Sequence, residues 1–496
     1  MRAPRPLCDA TLAHHARRVA VPTYDRAALT PAVVHISVGS FHRSHQAVYF
    51  DEIAQRGIST DWGLVGVGLQ RPGMREALAP QDGLYTVLAR GASGDFARVI
   101  GVIGRYLYAP YDGAAVLDAL ADPRTRLVTL TVTGRAYNVD PITGEFDALS
   151  PAVTADLASP AAPSSALGYL VEALDRRRRA GLAPFTVLSC DNVAGNGLIT
   201  RTALVAFARL RDQALADWIG EHVAFPSSMV DRITPRTTEA DCEFLAGEFG
   251  VRDRWPVVSE TFKQWIVEDA FCSGRPPLDA VGVQFVDDVR PYALMKTRLL
   301  NAGHCALGHL GMVAGLERMD EAMTDPVFAS YAERLMREVT PLLPRVPGID
   351  LDAYREVLLE RFANPKIGDS LIRLCRAGSS KVPRHVVSSL AEARATGRPH
   401  PMLTLAVAGW MRFLRGADDA GTPMLIDDPR GERLRELALR GGTDPRPLLS
   451  DRMLFGALGD DPGFVAELSG SLRAMERDGA RAVLAAALGS EQAVAR

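Results

Sequence analysis

Lys296, Asn301 and His304 stand within the stretch PYALMKTRLLNAGHCALGHL, residues 291–310. An amine, a carboxamide and an imidazole are what the conversion of a hydroxyl to a carbonyl calls for. The amine takes the proton, the carboxamide donates to the oxygen, and the imidazole orients it. Composition sets the lysine apart. Of 56 cations only four are lysine, at Lys263, Lys296, Lys366 and Lys381, and the other 52 are arginine. A GC-rich coding genome explains many arginines but not where the lysines remain. Arginine replaces lysine as a surface charge, yet it cannot release its proton near neutral pH. A lysine that acts as a base is therefore one that arginine cannot replace. On a helix, Asn301 and His304 fall roughly 140° and 80° around from Lys296, so the three share one side. Spacing alone fits equally a solvated lysine, a surface amide and a core histidine, and favours that plainer arrangement.

A second constellation is SCDNVAGNG, residues 189–197. Asp191-Asn192 directly follows the apolar run FTVLSC, and the end of a buried parallel strand is where ligands bind in α/β sheets. Asn192 there completes a pair of amide donors around one oxygen, or else caps the next helix. A third is VVHISV followed by GSFHRSHQ, a strand, turn and helix start of the dinucleotide-binding kind. Val38, Gly39, Ser40, Phe41, His42 and Arg43 form the turn. Ser37 occupies the place of the first glycine and the last glycine is absent, so the motif is weak and an ordinary strand–turn–helix fits it too. His42, Arg43 and His45 add cationic donors suited to phosphate. The second strand, LVGVGL, runs into Gln70-Arg71-Pro72 with no acid to hold ribose hydroxyls. An arginine there suits a 2′-phosphate, so NADP stands open beside NAD, although a solvent-facing Arg71 is the plainer account.

These segments need a scaffold. Apolar runs at 33–38, 64–69, 84–89, 98–104, 126–133 and 185–190 alternate with helical stretches, which predicts an α/β fold with a parallel sheet. Beyond about residue 287 strand signals nearly vanish and helical spacing takes over. The expected organisation is an N-terminal arm (1–28), a Rossmann-like NAD-binding domain (29–287) and a mostly α-helical substrate and catalytic domain (288–496). The chain has 496 residues, a net charge of −3 and 47% hydrophobic content. That balance offers no basic field for nucleic acid and no apolar run of the ~18–20 residues a membrane span needs. The N-terminus lacks the apolar core of a signal peptide. Six scattered cysteines with no C-x-x-C pair argue against structural zinc and a disulfide framework, and fit a cytoplasmic protein. No metal is expected.

Taken together, VGSFHRSHQAVY (38–49), SCDNVAGNG, FPSSMVDRITP (225–235), FKQWIVEDAF (262–271), K-x4-N-x2-H at 296–304, ERFANP (360–365) and GSSKVP (378–383) carry a resemblance. From about residue 30 to the end, the chain resembles the polyol-specific long-chain dehydrogenases, the group of mannitol 2-dehydrogenase and fructuronate reductase. The resemblance implies a zinc-independent, NAD-linked oxidoreductase that interconverts an open-chain polyol and its ketose, often as a monomer. It implies Lys296 as general base, Asn192 and Asn301 as holders of the reacting oxygen, and His304 as a substrate-orienting group. Asp231, Arg373 and Lys381 are implied contacts to substrate hydroxyls or a carboxylate. Such a base must have its pKa lowered from ~10.4, and apolar Leu294, Met295, Leu299 and Leu300 predict the burial to do so. The sequence departs from the family pattern at Ser37, at Gly134-Arg135-Ala136, at Ala293 where glutamate is usual, and at Ala377 where aspartate is usual. VPGIDLDAY and RAGSSKVP lean toward mannitol and fructose. A hexuronate reductase is the alternative within the same chemistry. A dinucleotide-binding sensor or scaffold with impaired catalysis is the alternative of another class.

Overall fold

The computed structural model describes residues 4–140 and 143–494. The chain forms two compact units, Met1–Arg290 and Pro291–Arg496.

The first unit is built on five strands: β1 (Val33–Ile36), β2 (Leu64–Gly68), β3 (Ile103–Tyr108), β4 (Leu127–Leu130) and β5 (Thr186–Ser189). All pair in parallel, in the order β3-β2-β1-β4-β5. β1, β2, β4 and β5 are buried throughout, as strands covered on both faces must be. The order reverses between β1 and β4, so a crevice opens beyond their carboxyl ends. Helices α1 (Ser40–Ser44) and α2 (Gln46–Gln55) follow β1, α3 (Gly73–Leu78) follows β2, α4 (Ala109–Ala121) follows β3, α5 (Ala166–Arg179) precedes β5, and α6 (Asn196–Arg211) follows it. This is the expected Rossmann-type α/β architecture.

Two segments differ from expectation. The runs at 84–89 and 98–104 are not members of the parallel sheet. Tyr85–Gly91 and Gly94–Ile100 form an antiparallel hairpin, with Val257–Glu260 parallel on its other side. The second run splits: Ile100 ends the hairpin and Ile103 begins β3. The N-terminal segment packs on the first unit. Arg5–Pro6 pairs with Val251–Arg252, and Leu7 and Val19 are buried against Leu84, Val99 and Leu245.

In the second unit the strands give way to helices, among them α7 (Arg290–Lys296, which begins at the boundary), α8 (Ala302–Val313), α9 (Pro326–Val339) and α10 (Pro401–Phe413). Nearly every side chain of α8 and α10 is buried, so these two form the centre of the unit and amphipathic α9 packs on them.

Gly197 opens α6 against the 225–227 loop. A Cβ there would fall 2.4 Å from Phe225 O and 2.7 Å from Ser227 N, both backbone atoms that cannot swing aside. Alanine gains at most about 1 kcal/mol of helix propensity, while overpacking costs about 1–3 kcal/mol. Gly197→Ala should therefore lower the urea midpoint with an unchanged m-value; a raised midpoint would show that the loop gives way freely.

Candidate active site

At the end of β1 the chain reverses through Ser37, whose φ of 76° is left-handed. A residue with a Cβ is strained there, and the conformation is the one that the first glycine of a dinucleotide motif supplies. The turn is held from below. His35, fully buried, meets Thr129 Oγ1 at 2.8 Å and Thr131 Oγ1 at 3.0 Å, and the Thr131 hydroxyl donates to Ser37 O at 2.9 Å. The His42 ring stacks on His35, centroids 3.3 Å apart.

The expected cationic donors are not there. His42, Arg43 and His45 are all completely buried. Burial pushes His42 well below its ordinary range, with the charges of neighbouring His35 and Arg43 adding to it. Burial likewise takes His45 down to about 3 against a hydrogen bond to Gln264 O, and His35 to about 3. The Arg43 guanidinium donates to Trp255 O and lies over the Tyr85 and Trp255 rings. What the turn offers a phosphate is backbone: Ser37, Gly39, Ser40 and Phe41 are partly exposed, and the first N–H groups of α1 have no intrahelical acceptor. A partly exposed, left-handed turn at the sheet's switch point fits a dinucleotide pyrophosphate.

Beyond β4 and β5 one carboxylate ties two turns together. Asp191 accepts from Val132 N (3.1 Å), Thr133 N (2.8 Å) and the Tyr137 hydroxyl (2.7 Å). Burial raises its pKa, and the same bonds oppose the rise. Thr133 is held at a φ of 74°. Asn196 braces the same edge. Its Nδ2 donates to Asp191 O (3.0 Å) and Ser228 O (2.9 Å), and its Oδ1 accepts from Ser228 N (2.9 Å). Exposed Asn192 sits between these anchors. Asp231 ends the braced strand Ser228–Asp231 and is buried. Neither anchoring role was read from sequence, although both residues lie inside SCDNVAGNG.

In the second unit α7 does not run straight into α8. Thr297–Asn301 is a π turn, with hydrogen bonds to the fifth residue. That pitch brings positions five apart nearly into line, so Asn301 stands closer to the face of Lys296 than α-helical spacing predicts. Lys296 is buried, at 7% exposure. Asn301 Nδ2 is buried without a hydrogen-bond partner. The His304 ring lies 4.6 Å from that of Phe362, in the ERFANP segment.

Lys381 Nζ donates to Leu374 O at 3.1 Å, and burial lowers its pKa. Arg373 is half-exposed and paired with Asp369, Nε to Oδ1 at 2.7 Å. His385, which sequence reasoning passed over, lies in a second π turn, Pro383–Val387, packed against the first. It is buried, its Nδ1 has no partner, and burial together with the charges of Arg384, Lys381 and Lys296 lowers its pKa to about 3. The second unit thus gathers Lys296, Lys381 and His385 in one region. Asn192, Asp231 and the turn from Val38 to Arg43 belong to the first unit. Among the described residues no group of three His, Cys, Asp or Glu could hold a metal ion.

A Rossmann-type unit with a left-handed turn at its switch point, followed by a helical unit carrying a buried lysine, is the arrangement of a two-unit oxidoreductase. Residues 31–280 match the Mannitol dehydrogenase Rossmann domain and residues 288–476 the Mannitol dehydrogenase C-terminal domain. The chain belongs to the mannitol dehydrogenase family. It is 46% identical over 98% of its length to mannitol 2-dehydrogenase of Phaeosphaeria nodorum, 87% of which is covered. It is 45% identical over 93% of its length to that of Aspergillus fumigatus, with 94% covered. Among solved structures it is similar to Pseudomonas fluorescens mannitol 2-dehydrogenase in ternary complex with NAD and D-mannitol. There the TM-score is 0.89 and identity 42%, over 98% of this chain and all of that one. Substrate-free D-sorbitol dehydrogenase gives a TM-score of 0.90 at 34% identity, over 97% and 100% of the two chains.

The buried histidines should make the fold acid-labile. Above pH 6.5 folded and unfolded chains both hold them neutral. As pH falls below 6.5 the unfolded chain takes protons first, so stability drops toward the folded values, about 3 for His35, His45 and His385 and about 4 for His309. Each contributes up to about 1.4 kcal/mol per pH unit in that window. Asp51 and Asp191, raised by burial, act in the opposite sense. Urea midpoints should fall from pH 6.5 to 4.5; a flat profile would mean that the histidines are not held neutral. Separately, Ser37→Gly should raise stability by roughly 1 kcal/mol by relieving the left-handed strain, read as a higher thermal midpoint.

Proposed function

We propose that the protein is a cytoplasmic, zinc-independent, NAD(P)-linked dehydrogenase that interconverts a sugar alcohol and its ketose, mannitol and fructose being the favoured pair. The carrying observation is the Asn301 carboxamide: a buried N–H donor one π turn beyond buried Lys296, with no acceptor for it among the described residues. Such a donor is one set aside for a ligand oxygen. The six free thiols suit a reducing compartment.

The roles follow from proton and charge bookkeeping. In oxidation the secondary hydroxyl gives its proton to the Lys296 amine, and in reduction the protonated amine returns it. The oxygen becomes negative as its proton leaves, and that charge passes into the new C=O bond as the hydride departs; in reduction it builds up as hydride arrives. Asn192 and Asn301 donate to that oxygen, in the manner of an oxyanion hole. His304, fixed against Phe362, orients the reacting hydroxyl. Asp231 and Lys381 take the remaining hydroxyls, with Arg373 beside them. The turn from Val38 to Arg43 seats the dinucleotide, through backbone rather than side-chain charge. A bound nicotinamide ring supplies the hydride acceptor or donor. A hexuronate would need a cation for its carboxylate; Arg373 is already paired with Asp369, which leaves Lys381 as the candidate. The likeness to mannitol 2-dehydrogenases favours the uncharged polyol.

Lys296→Ala should cut kcat by about 10³ or more, and Asn301→Ala by about 10²–10³, with both variants folded by circular dichroism. The readout is nicotinamide absorbance with mannitol, sorbitol, arabinitol, fructose, fructuronate and tagaturonate. Unchanged turnover in Lys296→Ala removes the mechanism. Tight dinucleotide binding with no turnover on the whole panel points instead to a sensor or scaffold.

A further inference from the structure

We propose that the adenosine end of the dinucleotide site accepts a 2′-phosphate, and that Arg71 is the residue that decides it. The proposal rests on the dinucleotide reading above and goes beyond it by naming which dinucleotide is preferred.

In a Rossmann sheet the end of the second strand meets the adenosine ribose, and an acid there accepts both ribose hydroxyls. Here β2 ends at Gly68, and the next seven residues, Leu69 to Arg75, contain no acid. Gln70 and Arg71 are exposed. Among the described residues Arg71 has no hydrogen bond or ion pair, in a chain whose arginines are widely paired with carboxylates. Beside it, on α3, Arg75 lies 5.3 Å from the ring of Tyr111, which is 74% exposed. Tyr111 packs edge-on against Tyr108, whose hydroxyl donates to Gln70 O at 3.2 Å. The ends of β2 and β3 are thus tied together by Arg75, Tyr111, Tyr108 and the Gln70 carbonyl, with exposed Arg71 next in the chain to Gln70. The acids nearby are Asp112, which accepts the Tyr108 N–H at 2.9 Å, and exposed Glu76.

The consequences run in one direction. Without a carboxylate the 2′-hydroxyl of an unphosphorylated dinucleotide loses its strongest acceptor. A 2′-phosphate, carrying close to two negative charges at pH 7, meets no fixed acid at the strand end. A guanidinium matches its oxygens in bidentate fashion. The exposed ring of Tyr111 is a surface on which an adenine stacks.

Calorimetry with two small probes that differ only by the phosphate tests this: adenosine 2′,5′-bisphosphate and adenosine 5′-monophosphate, at fixed low salt. The wild-type protein should bind the bisphosphate about tenfold tighter or more, as one charge-assisted contact provides. Arg71→Ala should erase that difference and leave the monophosphate unchanged, and Arg71→Lys should keep part of it. The ratio of kcat/KM for NADP over NAD should fall in the same order. Equal or tighter binding of the monophosphate overturns the proposal. So does an Arg71→Ala loss that is the same for both probes. Polyol turnover with NAD but not NADP overturns it while leaving the dehydrogenase reading intact. Binding of neither probe, with no turnover on the panel, overturns both.

Discussion

The edge of the first unit depends on one buried carboxylate. Asp191 collects two backbone N–H groups from the turn after β4 and the hydroxyl of Tyr137, while its own carbonyl is held by Asn196. A buried acid without such donors would be neutral, and donors without the acid would be left unsatisfied. Each side makes the other tolerable. The result is that two chain reversals, on neighbouring parallel strands, are fixed relative to each other and to the strand Ser228–Asp231. Thr133 is kept in a left-handed conformation that it would not adopt alone, which costs about 1–2 kcal/mol. Asn192 follows Asp191 directly and so lies within this braced edge.

The second unit reaches the same end by helix geometry. In a regular α-helix positions five apart diverge by roughly 140°. The π turn Thr297–Asn301 removes most of that divergence, so the spacing from Lys296 to Asn301 is itself the mark of the distortion. α-Helical spacing already puts the two residues on one side of a helix, and the residues TRLLN carry no glycine or proline to signal the widened turn. The burial of Lys296 was legible, since Met295, Leu299 and Leu300 surround it in sequence and are themselves buried. His385 was not legible, because it comes near Lys296 only through a second π turn 87 positions along the chain.

The parallel core and the switch to helices near residue 290 were readable for a simple reason. Strands buried on both faces are continuous apolar runs, and helices carry a 3.6-residue period. What failed was the partner of each strand. An apolar run looks the same whether it joins a parallel sheet or a hairpin, so 84–104 gave no hint of the separate sheet with Val257–Glu260. Charge was misread in a similar way. HRSH looks like a cluster of cations at a helix start, yet the fold turns all four side chains into the core. There the imidazoles are neutral and stack, and the guanidinium serves the carbonyl of Trp255.

These placements give the departures from the family pattern a physical meaning. Ser37 keeps the left-handed turn of the missing glycine, held by the Thr131 hydroxyl on its carbonyl, so the backbone path survives the substitution. Gly134 opens a short 3₁₀ turn whose end, Tyr137, is the residue that reaches Asp191. The turn therefore stays anchored although its residues depart from the family pattern. Ala293 removes a negative charge three residues before Lys296. Burial, with the charges of Arg384, Lys381 and Lys296 added to it, lowers the pKa of His385, so the charges acting on that neighbourhood are positive. A positive field disfavours a second ammonium and favours an oxygen that is becoming an anion. On the proposed chemistry both effects act in the same sense, toward a neutral amine and a stabilised alkoxide.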